Sequence, residues 1–167
     1  MLRVQFIHGL ESSPQGTKAR LLAGIFEART PAMDTSDFEG CVALQARTLD
    51  EFAPDVVIGS SFGGAVAVAL LQRGLWSGPT LLLAQAAVKW QLPVELPTPA
   101  PVWLVHGTRD EIIDPEDSRR LAAAGDPERV RLIEVDDDHR LQVLVASGTL
   151  VELVRELARA AGVGAGS

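Results

Sequence analysis

Residues 55–72 read DVVIGSSFGGAVAVALLQ. A short, continuous apolar run comes first, then a cluster of glycine and serine, then a run of small apolar residues. An uninterrupted apolar stretch of this length is the pattern of a strand buried on both faces. The small-residue run, Gly63 to Gln72, reads as a helix. Between them lies Gly59-Ser60-Ser61-Phe62-Gly63, a G-x-S-x-G. A chain that passes from strand to helix in so few residues must turn sharply, and Gly59 and Gly63 keep side chains out of that turn. Ser61 is then expected to expose its hydroxyl at the carboxyl end of a sheet. The backbone N–H of Phe62 and the start of the helix would place positive potential beside it. The same five residues also fit a plain Gly/Ser-rich turn, so other parts of the chain must supply the partners of a reactive serine.

The rest of the chain alternates between strand-like and helix-like patterns. Leu2 to Ile7 reads as a strand ending at His8-Gly9. Ser13-Pro14 predicts a helix start, with Pro as the first helical residue and an apolar stripe at Ala19, Leu21, Leu22, Ile25 and Phe26. A weak strand is expected over Ala28 to Pro31. Ser36-x-x-Glu39 has the capping-box spacing and predicts a helix through about Phe52. Pro79 to Ala84 and Pro101 to His106 read as buried strands. Asp114 followed by Pro115, Glu116 and Asp117 predicts a capped helix with acids in its first turn. Val130 to Val135 is the last expected strand. Arg140 to Ala161 reads as mainly helical with a break at Ser147-Gly148, and residues 162–167 as a disordered tail.

This alternation implies an α/β fold. The expected form is a doubly wound three-layer sandwich around a mostly parallel six-stranded sheet of order 2-1-3-4-5-6. The 167 residues fit one domain, expected over 1–161. The proline-rich stretch from Leu92 to Pro101 reads as a stiff connection within it.

Composition removes several function classes. Twenty-two acidic residues against 15 basic ones give a formal charge of −7. That balance argues against nucleic acid or an anionic membrane as partner. Cys41 is the one cysteine, which excludes an internal disulfide and a cysteine-based zinc site. His8, His106 and His139 are far apart and form no HxxxH or HExxH pair, so no metal site is expected. No stretch has the length of a signal-peptide core or a membrane span, and the expected location is cytoplasmic.

A serine nucleophile needs a base and an orienting acid. In the fold that uses this elbow, the chain order is Ser, then Asp or Glu, then His. Among the three histidines, only His139 follows the last strand. His8 and His106 stand at strand ends beside glycine turns and read as satisfied by local hydrogen bonds. The acid is expected just past the strand ending at His106. Asp110, Glu111 and Asp114 compete there; Asp114 is explained as the cap before Pro115, which favours Asp110. A second oxyanion donor is expected from the loop after the first strand, where the N–H of Leu10 follows Gly9. The doubly wound order brings that loop and the elbow to one crevice. Asp136, Asp137 and Asp138 precede His139. They read either as a solvated acidic loop or as charges that favour the imidazolium form of His139. An acidic rim would also disfavour anionic substrates. Trp90 is a candidate wall for a substrate and equally a packing aromatic.

With HGLESSP at 8–14 followed by Lys18-Ala19, GSSFGG at 59–64, HGTRDEIID at 106–114 and DHRL at 138–141, the chain resembles the α/β-hydrolase superfamily. It resembles most the small, lidless esterases of the YqiA type. The resemblance implies Ser61 as nucleophile, Asp110 as acid and His139 as base. It implies hydrolysis of small acyl esters or thioesters without a cofactor. Relative to larger members, an N-terminal hairpin is missing and the span from Ala84 to Pro101 is too short for a lid. The rival readings are a non-catalytic hydrolase-like binding protein and a nucleotide-binding doubly wound protein. The latter lacks a G-x-G-x-x-G or P-loop after the first strand.

Overall fold

The computed structural model describes residues 1–164. Six strands form one sheet: β1 (Arg3–Ile7), β2 (Glu27–Arg29), β3 (Val56–Ser60), β4 (Thr80–Leu83), β5 (Val102–Gly107) and β6 (Val130–Val135). Their spatial order is β2-β1-β3-β4-β5-β6. Every neighbouring pair is parallel, so the sheet is more regular than the mostly parallel one expected. The direction of winding reverses between β1 and β3, which are paired with Ile7 opposite Gly59. The loops after these two strands therefore leave the sheet side by side at its carboxyl end.

Helices cover both faces. α1 (Thr17–Ile25) and α6 (Thr149–Ala160) pack on one side, where Leu22, Leu153, Val154 and Leu157 meet Val4 and Phe6 of β1. α2 (Phe38–Phe52), α3 (Phe62–Gln72) and α4 (Pro115–Ala123) cover the other, where Cys41, Val66, Leu70 and Leu121 meet Ile7 and Val57. A short α5 (Gln142–Ala146) precedes α6. The strict alternation along β1 sends its residues to opposite faces. Gln5, on the α2 face, is fully buried, and its amide donates to the side chain and carbonyl of Gln45 on α2. All of α3 from Phe62 to Leu71 is buried, which accounts for its uniformly apolar sequence. Each fully buried Leu or Phe contributes roughly 1.5–3 kcal/mol.

Two helix starts differ from expectation. α1 begins at Thr17, not at Pro14. The segment before it is a turn in which Ser13 Oγ accepts from Gln15 N–H and the Ser13 carbonyl accepts from Gly16 N–H. α2 is capped by Asp37, whose carboxylate accepts from Gly40 N–H, rather than by Ser36. Ser36 instead donates to Asp34, and Glu39 pairs with Arg73 of the loop after α3. A charged acceptor one residue nearer the helix outcompetes the hydroxyl. By contrast, Asp114 caps α4 as expected, and the C-terminal helical region divides at Ser147-Gly148. In the expected tail, Val163 still packs on the core and donates its N–H to the Ala158 carbonyl, while residues 165–167 lie outside the described residues. Among the described residues, no helix is long and apolar enough to cross a membrane.

Candidate active site

The elbow is built by close backbone contacts. Ser61 sits between β3 and α3 with φ 55° and ψ −115°, a sparsely populated conformation for a residue with a side chain. Its N–H donates to the Leu83 carbonyl, and its own carbonyl accepts from Gly64, Ala65 and Ala86. The strained residue is thus fixed by β4, by the first turn of α3 and by the loop after β4. At Gly63 the reason for glycine is spatial: a Cβ there would lie 1.9 Å from the carbonyl oxygen of Ile7. The close approach of β1 to the elbow depends on that missing methyl.

Opposite the serine, two loops from distant parts of the chain converge. His139 Nε2 lies 2.9 Å from Ser61 Oγ, and His139 Nδ1 lies 2.8 Å from Asp110 Oδ2. The side chain of Asp110 is fully buried, that of His139 one-sixth exposed. Oδ1 of Asp110 accepts from the N–H groups of Ile112 and Ile113, each at 2.9 Å. Such donors compensate the cost of an ionised carboxylate away from water. With the carboxylate on Nδ1, the imidazole carries its proton there and presents Nε2 as acceptor to the serine hydroxyl. The His139 loop is pressed onto the end of β5, where a Cβ on Gly107 would lie 2.4 Å from the Asp137 carbonyl. Arg109 N–H donates to that same carbonyl.

The three aspartates before His139 are engaged elsewhere. Asp136 pairs with Arg109 at 2.8 Å, with both side chains largely exposed. Asp138 accepts from Arg140 N–H. Asp137 is not solvated at all: it is buried and accepts from the N–H groups of Asp138 and Leu144. It ties the His139 loop to α5. Lys18 of α1 adds a second tie, donating to the Arg140 carbonyl at 2.8 Å. Burial holds the Lys18 pKa below its ordinary value, with Asp137 and Asp138 opposing that shift. No hydrogen bond joins any of the three carboxylates to the imidazole: Asp136 pairs with Arg109, and Asp137 and Asp138 accept from backbone N–H groups. Neither role was legible in the run of three identical residues.

The other candidates fall as follows. Glu111 is exposed, and Asp114 accepts from Glu116 N–H at the head of α4, so neither competes with Asp110. Leu10 is half-exposed in the loop after β1, and its N–H reaches no protein acceptor among the described residues. The N–H of Phe62 is in the first helical turn, where no intrahelical acceptor exists. The Phe62 ring is buried edge-on against Phe38 and Trp90, with centroids 5.8 and 5.1 Å away. Trp90 therefore packs directly on the residue after the serine. His8 is only half satisfied locally: Nδ1 meets the Gly9 carbonyl at 2.8 Å, while Nε2 is buried with no hydrogen-bond partner among the described residues. His106 is more than locally satisfied: its Nε2 lies 3.1 Å from Asp110 Oδ2, a contact that the sequence reading missed. A depression of about 530 Å³ beside the acid is lined by Thr108, Arg109, Asp110, Glu111 and Asp138. Among the described residues, no group of three or more His, Cys, Asp or Glu is placed to hold a metal ion.

No family model and no curated protein sequence matches the chain. Solved structures do. A protein from Xanthomonas campestris pv. campestris, described as of the alpha/beta hydrolase superfamily, is 23% identical over 95% of each chain with a TM-score of 0.75. The monoacylglycerol lipase of Paleococcus ferrophilus is 14% identical over 94% of each chain, TM-score 0.69. The esterase domain of a Rhodothermus marinus protein is 17% identical, covering 95% of this chain and 86% of the other, TM-score 0.69. At these identities the likeness is one of fold, and the fold is that of the α/β hydrolases.

Proposed function

We propose that the protein is a serine hydrolase acting on small acyl esters or thioesters, of the lidless type that its motifs resemble. The observation that carries this reading is the unbroken line from Ser61 Oγ through His139 to the buried Asp110. Two structural neighbours are named for ester hydrolysis, a monoacylglycerol lipase and an esterase domain. In the proposed reaction His139 Nε2 takes the Ser61 hydroxyl proton as Oγ bonds to the acyl carbon. Asp110 holds the ring and stabilises the imidazolium that forms. The N–H groups of Phe62 and Leu10 receive the oxyanion, each worth roughly 3–4 kcal/mol of barrier. The imidazolium then gives its proton to the departing alcohol or thiol as the carbonyl reforms. Water, losing a proton to His139, attacks the acyl-enzyme; the acid leaves and the proton returns to Ser61.

Two features favour accessible substrates of modest size. The connection between β4 and β5, residues 84–101, contains no helix, and Trp90 within it packs on Phe62, offering an apolar wall beside the nucleophile. The exposed acids Glu111 and Asp138 near the acid disfavour anionic substrates. The test is labelling with a fluorophosphonate probe and mapping of the adduct. A single adduct on Ser61, lost in His139→Ala, is expected. Labelling that persists in Ser61→Ala overturns the nucleophile assignment, and an intact fold that never labels favours a binding protein without catalysis.

A further inference from the structure

Two histidines touch one oxygen of the acid. Asp110 Oδ2 lies 2.8 Å from His139 Nδ1 and 3.1 Å from His106 Nε2. Only one of them can be the partner whose positive charge the carboxylate stabilises during proton transfer. If His106 were the cation, it would form a buried ion pair with Asp110 and weaken the pull of Asp110 on His139.

The surroundings of His106 decide this by hydrogen-bond direction. Gln85, in the loop after β4, accepts from Ala87 N–H with Oε1, which fixes its amide and turns Nε2 to Ser118 of α4. Ser118 Oγ, already accepting from Gln85, has its own proton left to donate, and His106 Nδ1 lies 2.7 Å away. The buried Ser118 hydroxyl has no other acceptor for its proton among the described residues, so Nδ1 is the bare acceptor. On the other side of the ring, Nε2 faces two acceptors, the Ile113 carbonyl at 2.9 Å and Asp110 Oδ2. It must carry the proton, since a bare lone pair there would face two oxygens. His106, Ser118 and Gln85 are each fully buried, so no water competes for these bonds. The carboxylate against the ring is that of Asp110 from its own loop, and Asp117 of α4 is near enough to interact with it electrostatically.

Resting on the triad reading, we propose that His106 is a positioning residue for the catalytic acid, held neutral as the Nε2–H tautomer by Gln85 and Ser118. It clamps the Ile113 carbonyl, and with it the two N–H groups that bind Asp110 Oδ1. Because it stays uncharged, the carboxylate charge is reserved for His139. Gln85 lies next to Ala86, whose N–H holds the Ser61 carbonyl, so one loop fixes both the strained serine and the polarity of the acid's support.

The test uses the full chain with ¹⁵N-labelled histidine, with His106 assigned from the His106→Gln spectrum. At neutral pH, His106 is expected to show a protonated Nε2 and a bare Nδ1. An imidazolium, or a proton on Nδ1, overturns the proposal. Kinetics supply the second readout. His106→Gln keeps an N–H near the Nε2 position and cannot become cationic; kcat is expected within about threefold of wild type. His106→Leu is expected to lose about 10–100-fold in kcat, with KM little changed, since the loss falls on the transition state. Wild-type kcat in a folded His106→Leu, or equal losses in both variants, overturns it; if the Leu variant does not fold, the tautomer and the Gln variant decide. Fluorophosphonate labelling of Ser61 separates the two failures. If Ser61 does not label, the triad reading has failed; if it labels while His106 behaves otherwise than expected, only this inference has.

Discussion

The two halves of the site are held together by different physics. The Ser61 half is steric: strand, turn and helix pack backbone on backbone, with Gly63 against the Ile7 carbonyl and the wholly buried α3 behind. The half that carries Asp110 and His139 is polar, a buried network through His106, Ser118, Gln85 and Asp137. One half tolerates no added atom. The other tolerates no lost hydrogen-bond partner. They should fail differently.

The largest effect is expected at the steric half. Gly63→Ala must displace β1 from the elbow and is expected to cost about 4 kcal/mol or more, beyond the range of ordinary substitutions; chemical denaturation measures it. A variant as stable as wild type would mean that the elbow yields, and the contrast would dissolve. Next comes Asp110→Asn, which keeps the shape but removes the charge and mis-sets the imidazole tautomer. A loss of about 10⁴-fold in kcat is expected, with the fold retained by circular dichroism.

Smaller effects probe the edge of the network. Asp137→Ala leaves the N–H groups of Leu144 and Asp138 without their acceptor and is expected to cost about 1–3 kcal/mol in thermal unfolding. Asp136→Asn, at an exposed pair with Arg109, is expected to leave both Tm and the pH–rate profile unchanged. A shifted acidic limb would show that the aspartates act on His139 after all. The smallest effect concerns Cys41, which shares the apolar cluster with Phe62. Burial raises its thiol pKa above the usual range, with Asp37 and Asp34 adding to the shift, so less thiolate is present at any given pH. Maleimide labelling of the native protein is expected to be much slower than in denaturant, and faster again in Gly63→Ala.

The steric half was the more legible in the sequence. Small residues at fixed spacing are a local record of a local constraint, and DVVIGSSFGG shows strand, turn and helix within ten residues. The capped helix at Asp114-Pro115 was legible for the same reason. Ser36 was misleading because Asp37 beside it took the helix start, and Ser13-Pro14 because the residues after it close a turn and α1 begins only at Thr17, with no side-chain cap. In the polar half, chain order pointed to Asp110 and His139, but the network that holds them left almost no trace. Gln85 and Ser118 look like ordinary residues, and Asp137 is indistinguishable from its neighbours until burial separates it from them.

By itself, the sequence determined the alternation of strands and helices and the identity of a serine poised at a turn. Both follow from apolar periodicity and from residue size, which act over a few positions along the chain, whereas the expected order of the sheet rested on the topology of doubly wound folds. Only the tertiary structure decided that Asp110 and His139, 29 residues apart, meet one oxygen to one nitrogen, and that His106 shares that oxygen. Hydrogen bonds between distant loops depend on where the packed core places them, and no local pattern encodes that placement.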